Sequence, residues 1–232
     1  SRALIVADQN TWRVAGEVVY TYLQQAGVGC DEPYIFTDKE LHAEWKFIEM
    51  LDEQLAATDA IAVSVGSGTI NDLCKLCSYH QNRPYMCVVT AASVDGYSSF
   101  GASITYKNMK QTFTCPAPKA ILADVGVMAK APKEMTAAGY ADLAAKIPAG
   151  AEWIIADFVG SEPIHEEAWH ISQDNLKASL ADPEGVAALR PEAIAPFVEG
   201  LMLSGFAMQA ARSSRPASCT DHLFSHLWNM RD

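Results

Sequence analysis

The sequence predicts an α/β protein, with a parallel, doubly wound sheet in its N-terminal part and an all-helical part after it. Three observations predict this. Short β-branched or aliphatic runs alternate with longer stretches whose apolar residues recur at helical spacing, the pattern of strand–helix–strand units joined by right-handed crossovers. One such run ends in a glycine turn, VSVGSGTIND over residues 63–72, that opens directly into a helix. After Pro132 the strand-like runs cease, and Ala, Leu and other helix formers dominate.

In chain order, Ala3 to Ala7 reads as a buried parallel strand closed by Asp8-Gln9-Asn10. Thr11 to Ala26 reads as a helix, with Val14, Val18, Tyr22 and Leu23 at helical spacing and Gly27 as its stop. Tyr34 to Phe36 is a second short strand. Glu40 to Ala57 is a second helix, with Leu41, Trp45, Ile48, Leu51 and Leu55 on one stripe. Asp59 to Val65 is the third strand, and the helix after the glycine turn runs to Tyr79. Tyr85 to Val89 is a fourth strand, Thr90 to Thr105 a long polar loop of small residues, and Ala120 to Ala123 a last short strand. The expected domains are 1–118 for the sheet and 119–232 for the helices. Ala193 to Ala211 is the most apolar long run, yet it holds Pro196, Glu199 and Gln209, so a buried helix is expected there and not a membrane span. The chain opens directly in a strand and reaches Asp232 inside an apparent helix, so a longer protein is expected around it.

Composition narrows the function classes. Half of the 232 residues are hydrophobic and 19% are charged, ordinary values for a soluble domain. A net charge of −11 argues against a nucleic-acid or anionic-membrane partner, which needs a basic face. The six cysteines are scattered, and Cys74 and Cys77 read as buried helix residues in a reducing, cytoplasmic setting. No signal peptide is expected, since the sequence reads directly into its first strand.

Two places could carry chemistry. At Gly66-Ser67-Gly68 the absence of Cβ atoms lets the backbone approach a ligand. The N–H groups opening the next helix then form an anion site suited to a pyrophosphate. Asn71 stands where the usual dinucleotide fingerprint has a third glycine, so the alternative is a turn that is glycine-rich for steric reasons alone. The Thr90–Thr105 loop is the natural neighbour of anything held there. In the helical part, His222 and His226 share a helix face, a spacing that suits a zinc-like ion or, equally, surface and capping roles. Asp142 lies among apolar neighbours, either as a helix-start charge or turned inward with Lys146, one turn on, as its partner. Arg215, in a helix-breaking turn, is the best anion-pairing cation of this half. His165 and His170 read as surface residues.

Four ordered fragments, VGSGTINDL, TAASVDGYSS, PKAILADVGVMAKAPKEMTAAGYADLAAK and SRPASCTDHLFSHLW, resemble NAD(P)-dependent sn-glycerol-1-phosphate dehydrogenases. That group lies beside glycerol dehydrogenases, iron-containing alcohol dehydrogenases and dehydroquinate synthases. The resemblance implies a Rossmann-like domain followed by a helical domain, a dehydroquinate-synthase-like fold. It implies that Gly66, Gly68, Thr69, Ile70, Asn71 and Asp72 hold the pyrophosphate of NAD(H) or NADP(H), with Thr90, Ala91, Ala92, Ser93 and Ser99 lining the nicotinamide side. Asp142 and His222 would ligate one divalent metal, zinc or nickel, and a third ligand would follow Asp232. Asp95, Asp142 and His226 would meet the substrate, a small phosphorylated triose. Asp8, ending the first strand, can accept bonds from ribose hydroxyls and repel a 2′-phosphate, which leans toward NAD. Ala141, Cys219 and Asp221 depart from the glycine, glycine and glutamate usual in the group.

The expected activity is reversible reduction of dihydroxyacetone phosphate to sn-glycerol 1-phosphate, by a cytoplasmic homo-oligomer, a dimer or larger. The alternatives are a glycerol dehydrogenase-like enzyme, or a nucleotide-binding remnant without catalysis.

Overall fold

The computed structural model describes residues 2–229, apart from the side chains of His226 and Asn229. They form two compact units: residues 2–91 with 101–131, and residues 92–100 with 132–229. The expected boundary at 118 falls inside the first unit, because the strand at Ala120–Ala123 hydrogen-bonds into the sheet.

In chain order the first unit comprises β1 (Arg2–Asp8), α1 (Gln9–Thr11), a π-helical turn (Trp12–Gly16), α2 (Glu17–Gln25), β2 (Gly29–Cys30) and β3 (Tyr34–Phe36). Next come α3 (Trp45–Ala56), β4 (Ile61–Gly66), α4 (Gly68–His80), β5 (Met86–Val89), β6 (Ala102–Tyr106), β7 (Met109–Phe113), β8 (Ala120–Ala123) and α5 (Val125–Met128). Six strands make one parallel sheet in the order β2–β1–β4–β5–β8, with β3 also paired to β1. Along β1, Ala3, Ile5 and Ala7 pack with Val63, Val65, Trp12, Val19 and Leu23. Strand alternation turns Leu4 and Val6 to the opposite face, and they too are fully buried. Cover on both faces explains why these strands read as unbroken apolar runs.

The differences from expectation have local causes. The first helical run starts at Gln9, because the Asp8 carboxylate accepts from the N–H groups of Asn10 and Thr11 while Thr11 Oγ1 accepts from Asp8 N–H. The second helix starts at Trp45, not Glu40, since Ala43 and Glu44 pair with Thr105 instead. The expected loop to Thr105 ends early in an antiparallel hairpin, β6–β7, closed by Lys107 and Asn108 at φ of 51° and 61°. Left-handed angles at both turn residues suit a two-residue hairpin, but Lys-Asn lacks the glycine that announces one.

The second unit contains the loop 92–100 and helices α6 (Lys133–Ala144), α7 (Lys146–Phe158), α8 (Glu166–Gln173), α9 (Leu176–Ser179), α10 (Pro183–Ala187), α11 (Pro191–Ala211) and α12 (Thr220–Asn229). α11 is long and apolar enough to cross a membrane. Its Ile194, Phe197, Leu201 and Ala207 are buried in this unit, as a core helix requires.

Candidate functional site

Each unit places one set of the expected residues. In the first, β4 ends at Gly66, Ser67 stands as the extended N-cap residue, and α4 begins at Gly68. Ser67 makes no side-chain capping bond. The N–H groups of Gly68, Thr69 and Ile70 therefore remain directed out of a 13-residue helix, at its positive end. The side chains just beyond turn inward. Ile70 and Asn71 are buried, and Asn71 Oδ1 accepts from the Tyr85 hydroxyl at 3.0 Å. Asp72 Oδ2 accepts from Ser103 N–H at 3.2 Å, and Lys75, 3.9 Å from Asp72, donates to the Gly101 carbonyl at 3.0 Å. Burial raises the Asp72 carboxyl above its ordinary value, against the pull of Lys75. Thr90 follows β5 with its N–H on the Gly66 carbonyl, and Ala91 beside it is buried. Asp8, at the end of β1, caps its own helix through Oδ1.

In the second unit the loop 92–100 is packed tightly between helices. A Cβ at Gly139 of α6 would fall 2.1 Å from the Ala92 carbonyl oxygen. At Gly205 of α11 it would fall 2.0 Å from Ser98 Oγ and 2.8 Å from Ser99 N. Only glycine permits either approach. Within the loop, Ser93 Oγ lies 3.2 Å from the Tyr97 hydroxyl, and Ser99 Oγ donates to the Gly96 carbonyl.

Held this way, the loop presents Asp95 to a buried cluster. Lys146 is wholly buried; its Nζ donates to Asp142 Oδ1 at 2.8 Å and contacts Asp95 Oδ2 at 2.9 Å. Asp95 N–H donates to Asp142 Oδ2, and Ser204 of α11 donates to Asp95 Oδ2, both at 2.8 Å. His222 of α12 brings Nε2 to 3.6 Å from Asp142 Oδ1, and its Nδ1 lies 3.2 Å from Asp221 Oδ2. Burial opposes ionisation of Asp142, but His222, Lys146 and the Asp95 N–H together hold its carboxyl well below the usual carboxylate range. Burial likewise pulls Lys146 down, and Asp95 and Asp142 outweigh it, so its ammonium is held above the ordinary value. Asp142 raises the His222 imidazolium, while burial and Lys146 oppose it and Asp221 assists.

The donor set fits a divalent ion. A separation of 3.6 Å is too long for a hydrogen bond. It does match two donors that each stand about 2.0–2.2 Å from one zinc-like ion. The far ring nitrogen, Nδ1, has Asp221 Oδ2 nearby but makes no hydrogen bond to it. Among the described residues no third His, Cys, Asp or Glu joins this pair. His226 stands on α12, and its side chain lies outside the described residues. Arg215 is taken up by Glu162 at 3.0 Å and Glu152 at 3.9 Å, so its charge is already matched by two carboxylates. Cys74 and Cys77 are buried free thiols, and His165 and His170 are exposed. Sequence reasoning did not single out Ser204, Gly139 or Gly205; a Ser-Gly pair in the middle of an apolar helix was the available signal.

Residues 1–132 match the family of iron-containing alcohol dehydrogenases. The chain belongs to that family. Two relatives to which it is similar are each named glycerol-1-phosphate dehydrogenase, NAD(P)+. The protein of Bacillus subtilis strain 168 is 34% identical over 227 residues, covering 96% of this chain and 57% of that protein. That of Pyrococcus horikoshii is 34% identical over 233 residues, covering 99% and 65%. The chain thus spans about three-fifths of the length of the curated relatives it matches. Among solved structures of the fold, a probable glycerol dehydrogenase from Sinorhizobium meliloti 1021 superposes with a TM-score of 0.69 at 19% identity, over 94% of this chain and 60% of the other. An iron-containing alcohol dehydrogenase from Thermococcus thioreducens gives 0.69 at 16% identity, over 92% and 61%. The sheet-then-helices architecture of this family member is the one expected from its sequence.

Proposed function

We infer that this chain belongs to a metal-dependent oxidoreductase that interconverts dihydroxyacetone phosphate and sn-glycerol 1-phosphate with NAD(H) or NADP(H). The observation that carries the reading is the convergence of Asp142 and His222, from separate helices, at a spacing suited to one ion. It is read together with relatives that bear this enzyme name.

Gly66 and the N–H groups of Gly68, Thr69 and Ile70 bind the pyrophosphate, while Asn71 and Asp72 brace the turn from inside. Thr90 and Ala91, which follow β5, border the nicotinamide. The carboxylate of Asp8, at the carboxyl end of β1, favours ribose hydroxyls over a 2′-phosphate and so favours NAD. Asp142 and His222 hold zinc or nickel. When bound, that ion supplies Lewis-acid polarisation of a ketone, and the nicotinamide supplies the hydride. Asp95 and Asp142 orient the substrate hydroxyls. The product is the glycerol phosphate backbone of phospholipids, made by a homo-oligomer in the cytoplasm.

The test is NADH oxidation with dihydroxyacetone phosphate by the full gene product, after chelation and after zinc or nickel is returned. Turnover restored by metal and abolished by His222→Ala is expected. Clear NADH binding without turnover under either metal would sink the reading and leave a nucleotide-binding module.

A further inference from the structure

Lys146 has no counterpart in the reading above. It neither touches an exposed surface nor opens to solvent, yet a lysine this buried is costly unless its charge is fully matched. It is matched by two carboxylates at once, at 2.8 and 2.9 Å, brought from α6 and from the loop 92–100. An ammonium is a compact point charge with no directional fork, and so resembles a small ion more than arginine does. One of its partners, Asp142 Oδ1, is also the atom that faces His222. That oxygen therefore stands between two cation positions, one filled by the ammonium and the other flanked by imidazole.

We propose that the Lys146 ammonium occupies the second cation position of a two-cation carboxylate centre, limiting the chain to one metal ion and withholding Asp95 from metal coordination. The position is already formed from oxygen. Asp95 Oδ2 and Asp142 Oδ1 converge on Nζ, and the Ser204 hydroxyl is bonded to the same Asp95 oxygen. Oxygen donors with two negative charges suit a hard cation such as Mn2+, whereas the Asp142–His222 position is the mixed N/O set that zinc-like ions accept. Consistent with this division, Asp95 does not join Asp142 and His222 as a third ligand among the described residues.

The inference rests on the metal reading of Asp142 and His222, and the two separate experimentally. Mn2+ binding is measured by calorimetry and by the electron paramagnetic resonance of free Mn2+, on the unsubstituted protein, Lys146→Ala, and Lys146→Ala/Asp95→Asn. Lys146→Ala is expected to gain one Mn2+ site, at least about tenfold tighter than any Mn2+ binding of the unsubstituted protein, since affinity follows ligand charge. Adding Asp95→Asn removes that gain. If Lys146→Ala does not fold by itself, Mn2+ is expected to restore its cooperative melting transition, by binding the native state alone. A folded Lys146→Ala without a new site, a gain that survives Asp95→Asn, or an unfolded variant that Mn2+ cannot restore overturns the inference. His222→Ala answers the other question. If it leaves metal binding of the unsubstituted protein intact, the Asp142–His222 reading fails, while the gain in Lys146→Ala still decides this one.

Discussion

The glycine turn of the first unit and the carboxylate cluster of the second solve opposite problems. At Gly66–Asp72 the side chains of Ile70, Asn71 and Asp72 turn inward, and what the helix start offers outward is main chain, the N–H groups of Gly68, Thr69 and Ile70. In the second unit the main chain is packed away, and the chemistry rests on side chains of Asp95, Asp142, Lys146 and His222. A backbone site needs only a strand end and a helix start that are neighbours in sequence. A side-chain site made of like charges needs long-range packing to force the groups together and a cation to keep them there.

The sharpest way to break this contrast is Asp142→Ala. It leaves Lys146 buried against Asp95 alone and takes an acceptor from Asp95 N–H. A loss of about 1.5–3 kcal/mol in urea denaturation is expected, because Lys146 loses one charge-assisted bond and Asp95 N–H is left without its acceptor. A loss under about 1 kcal/mol would mean that the cluster is wetter and looser than its distances imply. The matching experiment in the first unit is Asp72→Ala. Removing the acceptor of Ser103 N–H should lower stability by about 1.5 kcal/mol. NADH affinity, followed by fluorescence, should stay nearly unchanged, since the anion is met by main chain; a large loss of affinity would show that this side chain does reach the cofactor.

The smallest effect is expected at Asp31. Bonds from Thr58 and from Arg2 lower its carboxyl pKa in the folded protein. A depressed folded pKa contributes stability that is present above the ordinary value of 3.8 and is lost as pH falls through the folded value. Melting temperatures of the unsubstituted protein and Asp31→Asn should therefore differ slightly at neutral pH and converge in acid. A gap that widens on acidification would reverse the sign of the linkage. Exposure of Arg2 keeps this pair weak, and so it serves as the solvent-screened control for the buried trio around Lys146.

Legibility in the sequence follows the same division. β1, β4 and β5 were readable because burial on both faces leaves continuous apolar runs, β8 from its short apolar run alone although it is half-exposed, and the turn at Gly66 because its grammar is local. β2 is only two residues long and carries no periodicity, and the Lys107-Asn108 hairpin lacks the expected glycine. Asp142 and Lys146, four apart on consecutive helical turns, could be suspected as partners from spacing alone. Asp95 and Ser204 could not be paired with each other in that way, since 109 positions separate them and no local pattern encodes their meeting. For Asp95 the resemblance to known enzymes implied only a substrate contact, and periodicity contains no signal for its meeting with Lys146.

The path of the chain through residues 92–100 has a consequence for biosynthesis. This stretch is translated between two parts of the sheet unit but packs with helices encoded later. At roughly 5–20 residues per second, the ribosome delivers Ser204 about 5–20 s after Asp95. During that interval Asp95 can meet Lys146 but not yet the Ser204 hydroxyl. Expressing residues 132–229 alone would give helices without the loop that Gly139 and Gly205 are shaped to receive.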